Sequence, residues 1–199
     1  MNLHTRRFQI QGPAGTIEML RDEPGEGAAL RGTAVIAHPH PLFGGTMENK
    51  VVQTLARAFV QSGWRALRFN FRGVGASQGE HDEGRGELED LHAVVKALAP
   101  QSLVLAGFSF GASLQARLAQ RVNPAWLVLV GIGITRLEAP SVPEGSLVIH
   151  GENDDTVPLA AVLDWARPQE LPVLVVPGAE HYFHRKLHIL KRIVLTHAR

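Results

Sequence analysis

The sequence contains no cysteine. That absence excludes disulfides, thiolate metal sites and a cysteine nucleophile. Aromatic residues are sparse, at 6% of the chain, and follow no pattern suited to stacking bases. The formal net charge is only +1 and the basic residues are scattered, which leaves no electrostatic footprint for nucleic acid or an anionic membrane. Long hydrophobic runs are missing too: the longest, residues 125–134, has about half the length that a membrane-spanning helix needs. The opening MNLHTRRFQI carries no apolar stretch after its charges, so no signal peptide is expected and the expected location is the cytoplasm. There is no internal repeat, low-complexity tract or linker.

What remains is an ordinary globular composition. The 199 residues are 45% hydrophobic and 20% charged. This suits one domain, residues 1–199, with a sizeable core. Short apolar runs at 33–38, 64–71, 102–108, 126–132, 146–151 and 172–178 are rich in valine, leucine and isoleucine and mostly do not alternate with polar residues. Such runs predict parallel strands covered on both faces. RRFQIQ and TIEMLR, separated by GPAG, predict an edge hairpin. Apolar residues at helical spacing predict helices near 51–62, 88–98, 109–122 and 159–166, and a last one carrying Leu187, Leu190, Ile193 and Val194. Strand and helix alternate, so the fold class is α/β, a mostly parallel sheet of about eight strands with helices on both faces. In such a sheet ligands bind beyond the carboxyl ends of the strands.

Three of the segments that follow strands carry chemistry. G-F-S-F-G, residues 107–111, lies between a predicted strand and a predicted helix, the setting of a nucleophile elbow that exposes the Ser109 hydroxyl. The plainer reading makes Ser109 a helix N-cap in a glycine-rich turn. A serine hydroxyl needs a base, and an acid and a histidine are expected after later strands. ENDDTVP follows SLVIHG, and AEH follows PVLVVPG. His181 is the expected base. His184 and His188 are placed in the last helix, one turn apart and on its surface. The acid is Asp154 or Asp155. The spacing H-G-x-x-D-x-x-V-P favours Asp154, and Asp155 is then expected to cap the helix that begins near Val157 and Pro158.

With these stretches together, HPHPLFGGTMENKVV, LRFNFRGVGASQGE, LAGFSFGASL, VIHGENDDTVPL and PGAEHYFHRKL, the sequence resembles the α/β-hydrolase superfamily, and within it small lidless bacterial serine hydrolases. The resemblance runs from residue 38 to about 187. It implies a Ser109–Asp154–His181 triad, no metal or organic cofactor, and esterase-like chemistry on a small-molecule acyl ester. Larger members of the fold insert a lid after the sixth strand. Here only residues 133–144 separate that strand from the next, too few for a helical cap, so an open site and activity on short acyl esters are expected.

Two oxyanion donors are expected. One is the backbone N–H of Phe110, the residue after the nucleophile. The other comes from HPHPLFGG, residues 38–45. Pro39 and Pro41 have no N–H and bias His38 and His40 to extended conformations. That leaves the His40 N–H as the preferred donor and Leu42 as the next candidate, with Thr46 expected to cap the first helix. His38 and His40 sit at the spacing of a metal-ligand pair, but no third ligand stands at recognisable spacing, and His81 and Asp82 read as a solvated loop. Phe43, Phe110, Ile134, Val157 and Tyr182 are candidate pocket walls. Arg72 is a candidate contact for an anionic substrate group, or else a brace between loops. A thioesterase, acyltransferase or amidase would use the same triad. A non-catalytic binding protein and a metal-dependent hydrolase are the competing classes. Monomer and homodimer are not distinguished by the sequence.

Overall fold

The computed structural model describes residues 5–198; Met1–His4, where the MNLHTRRFQI stretch begins, and Arg199 lie outside the described residues. Eight strands form one sheet: β1 (Arg6–Gly12), β2 (Gly15–Asp22), β3 (Thr33–Ala37), β4 (Arg65–Phe69), β5 (Leu103–Phe108), β6 (Trp126–Val130), β7 (Leu147–Gly151) and β8 (Val173–Val176). Five α-helices accompany them: α1 (Lys50–Gln61), α2 (Arg85–Leu98), α3 (Phe110–Ala119), α4 (Leu159–Ala166) and α5 (Leu187–His197). The strand order is β1-β2-β4-β3-β5-β6-β7-β8. The β1–β2 hairpin joins antiparallel to β4, and every pair from β4 onward is parallel.

The alternation of side chains along each strand divides the core in two. In β5, Leu103 and Leu105 pack towards α2 and α3, whereas Val104, Ala106 and Phe108 pack towards α1 and α5. Both faces are therefore covered, and the strands read as continuous apolar runs for that reason.

The element ends differ from expectation in four places. Asn49, not Thr46, caps α1: its side chain accepts the Val51 N–H at 2.8 Å, while Thr46 accepts the Glu48 N–H in the preceding turn. Helix α3 stops at Ala119 rather than 122. Pro158 precedes α4 and no side chain caps that helix, so Asp155 does not do so. His184 lies in the turn before α5, and His188 lies inside it.

Between β6 and β7 there is no helix. The connection is fastened down through its carbonyls. Arg117 Nε donates to Glu138, Trp165 Nε1 to Ala139 and Gln120 Nε2 to Ser141, at 2.9, 3.1 and 2.8 Å. The carboxyl ends of β5 to β8 are left without a lid.

Candidate active site

One residue connects β5 to α3, and it is Ser109. Its φ of 55° and ψ of −119° lie outside the ordinary conformations of a non-glycine residue. Such a backbone costs on the order of 1–3 kcal/mol and persists only when the surroundings fix it. They do so here. The Ser109 N–H donates to the Val130 carbonyl at 2.9 Å, and its carbonyl accepts from Ala112 and Gly133 at 3.0 and 3.1 Å. The flanking glycines are required by close approach. A Cβ at Gly107 would come within 2.6 Å of the Ala112 nitrogen, and one at Gly111 within 2.5 Å of the His38 carbonyl oxygen. The Ser109 hydroxyl makes no cap bond to α3. Instead Oγ lies 3.0 Å from His181 Nε2.

The other face of that imidazole meets the acid. His181 Nδ1 is 2.7 Å from Asp154 Oδ2. The second carboxylate oxygen, Oδ1, accepts the N–H groups of Thr156 and Val157 at 3.0 and 2.8 Å. Burial raises the pKa of Asp154, but the His181 hydrogen bond, the Val157 amide and the two neighbouring histidines outweigh it and hold the carboxyl below its usual range. Asp154 is thus an ionised acceptor, which fixes the His181 proton on Nδ1 and leaves Nε2 free to accept from Ser109. His181 is itself buried, packed between the rings of Phe108 and Tyr182. Asp155 is exposed and contacts only the Thr156 hydroxyl, at 3.3 Å, among the described residues.

A second histidine stands behind the acid and was not anticipated. His150, fully buried at the end of β7, places Nε2 2.9 Å from the Val157 carbonyl and 3.4 Å from Asp154 Oδ2. Burial lowers its pKa more than the carbonyl and the Asp154 charge raise it, so the ring is neutral with its proton on Nε2. It ties down the backbone that feeds Asp154. The one sequence signal was its place four residues before the acid.

The HPHP stretch is held by its first histidine. His38 is fully buried; Nε2 accepts the Phe71 N–H at 3.0 Å, and Nδ1 faces the Pro39 carbonyl at 2.6 Å. Both ring nitrogens are engaged within the protein. Burial, against the Pro39 hydrogen bond, lowers its pKa to about 4, so it is neutral. Pro41–Phe43 form a 3-10 turn, within which the Leu42 N–H points to His40 Nδ1 at 3.3 Å. The N–H groups of Phe43 and Gly45 both donate to the His40 carbonyl at 3.1 Å. The amides of His40 and Phe110 have no acceptor among the described residues.

A cavity of about 220 Å³ opens beside Ser109 and His181. Phe43, Val157 and Tyr182 line it, as expected, together with Thr135 and Arg136, which had not been anticipated. Two expected residues do not. Ile134 is packed against the core on the α2–α3 side of the sheet. Arg72 turns away to α2, where Nε and Nη2 each donate to Asp90 at 2.8 Å. Asp90 is almost wholly buried, and the bidentate pair leaves Arg72 bracing its loop, not facing the cavity. His81 also departs from expectation. It is tucked 2.7 Å from the buried Glu87, with its ring 4.8 Å from that of His40.

No family model matches the chain. An α/β serine hydrolase homologue from Coxiella burnetii is 40% identical, over 98% of this chain and 97% of that one, with a TM-score of 0.87. A lidless α/β serine hydrolase from Xanthomonas campestris is 36% identical, over 100% of this chain and 95% of that one, with a TM-score of 0.91. An uncharacterized protein of Rickettsia prowazekii is 32% identical over 174 residues, 77% of this chain and 72% of that protein. The sheet order, the serine at the strand-to-helix turn and these similarities converge: the chain belongs to the α/β serine hydrolases, among the members that lack a lid.

Proposed function

We propose that the protein hydrolyses small acyl esters, with Ser109 as nucleophile, His181 as general base and acid, and Asp154 as the group that orients the histidine. One observation carries the reading: the unbroken chain from Asp154 Oδ2 to His181 Nδ1 and from His181 Nε2 to Ser109 Oγ, at 2.7 and 3.0 Å. In the first half-reaction Ser109 Oγ attacks the acyl carbon while His181 Nε2 takes the hydroxyl proton. The carbonyl oxygen becomes an oxyanion that accepts from the N–H groups of Phe110 and His40. Each such donor contributes on the order of 3 kcal/mol to the transition state. Collapse breaks the bond to the alcohol oxygen, which leaves with the proton from His181. A water then gives its proton to His181 and attacks the acyl-enzyme, and the acid departs as Ser109 recovers its proton.

The ionised Asp154 favours the imidazolium that forms at both steps. The small cavity of about 220 Å³ and the absence of a helical cap favour short acyl groups over long lipids. A series of p-nitrophenyl esters tests the reading. Turnover is expected to be best for acetate to butyrate and to fall with longer chains. Rates that rise towards palmitate would contradict it.

A further inference from the structure

The cavity beside Ser109 contains one side chain that is charged at neutral pH. Arg136, in the connection after β6, lines it, and among the described residues no Asp or Glu does. The Arg136 guanidinium carbon sits 4.5 Å from the centre of the Phe43 ring, a stacking that holds the fork at the cavity mouth. Among the described residues no carboxylate lies within ion-pair distance of it, in contrast to Arg65, Arg68 and Arg72, each of which meets an acid at 2.8 Å. A stacked, unpaired guanidinium beside a nucleophile is placed to receive a carboxylate of the substrate through two parallel hydrogen bonds. The leaving alcohol has to lie within reach of His181 Nε2, beside which the Tyr182 ring stands at 5.2 Å from the imidazole. Arg136, Phe43 and His40 cluster at the oxyanion loop, the Phe43 ring 4.5 Å from the Arg136 guanidinium carbon and 4.8 Å from the His40 ring, so an acyl group directed along that loop would meet the guanidinium.

We infer that the cavity takes short acyl groups ending in a carboxylate, as in the half-ester of a small dicarboxylic acid, with Arg136 as the specificity-determining residue. This rests on the ester-hydrolase reading above.

The test compares monomethyl succinate with methyl isohexanoate, a neutral ester of nearly the same shape, by titrating released acid. Wild type is expected to favour the half-ester by about tenfold in kcat/KM, the size of one charge-assisted hydrogen-bonded contact. Arg136→Gln is expected to lower that ratio about tenfold, chiefly through KM for the half-ester, whereas Arg136→Lys, which keeps the charge but not the two-pronged contact, retains only part of it. Added salt shrinks the preference. Equal or poorer turnover of the half-ester by wild type overturns the inference and leaves the hydrolase reading standing. A preference that survives in Arg136→Gln overturns the role of Arg136. If neither ester is turned over and a fluorophosphonate does not label Ser109, the hydrolase reading falls and the inference falls with it.

Discussion

The Phe71 N–H donates to Nε2 of His38 across 3.0 Å, joining the segment after β4 to the loop after β3. The first histidine of HPHP thereby acts as a buried bracket for the backbone that carries the His40 amide. Its pKa of about 4, against an ordinary 6.5, makes it a source of acid sensitivity. Between these values the unfolded chain binds a proton that the folded chain refuses, so stability rises with pH across that window. The full contribution is present above about pH 6.5 and is lost as pH falls towards 4, at a cost on the order of 3 kcal/mol. Urea midpoints measured across this range are expected to fall with acid, and to fall less steeply in His38→Gln.

The second histidine of the pair acts through its backbone. His40→Ala removes a ring that accepts weakly from Leu42 at 3.3 Å but leaves the His40 N–H in place. Ester turnover is expected to stay within about tenfold of wild type, as for loss of a side chain that makes no direct contact with charge in the transition state. A loss as deep as that of Ser109→Ala would assign the work to the imidazole.

His150 positions the acid. His150→Leu leaves the Val157 carbonyl buried without its donor, a change expected to cost about 1–3 kcal/mol of stability. The amides that hold Asp154 Oδ1 belong to the same short segment. A fall in kcat with little change in KM is therefore expected. Steady-state kinetics beside urea denaturation separates this from simple loss of folded protein.

Arg72 makes the opposite case. Arg72→Ala strands the buried carboxylate of Asp90, which is expected to cost about 3–5 kcal/mol. The kcat/KM of the protein that remains folded is expected to stay within about threefold, because Arg72 does not line the cavity beside Ser109. A large change in KM with unchanged stability would return Arg72 to the site.

The fold was legible in the sequence wherever one face of an element decides its character. Strands covered on both sides are mostly apolar, with Arg65 and Arg68 in β4 and His150 in β7 among the charged or polar interruptions, and β3 to β8 all fall within the apolar runs. The serine, acid and histidine were readable because each follows a strand at a fixed place in the chain order. The partners of buried charges were not. Asp90 lies in α2, far along the chain from Arg72, and nothing local announces their pairing. His81 is set amid SQGEHDEGRGE and reads as solvated, yet Glu87 is folded beneath it. Ile134 and Arg136 are near neighbours on an irregular segment with no period to tell inward from outward. The structure packs the first, half-buried, against the core and turns the second to the cavity. Thr46 and Asn49 are both capping residues, and only the turn between them decides which begins α1.

Reaction of the folded protein with a fluorophosphonate, followed by peptide mapping, reads the reactivity of the Ser109 hydroxyl itself. Labelling is expected at Ser109 alone, abolished in Ser109→Ala and strongly slowed in His181→Ala, because among the described residues the hydroxyl 3.0 Å from His181 Nε2 is the one serine oxygen paired with a base whose other nitrogen is held by a carboxylate. No labelling of Ser109 in folded protein, or equal labelling with His181 removed, would contradict it.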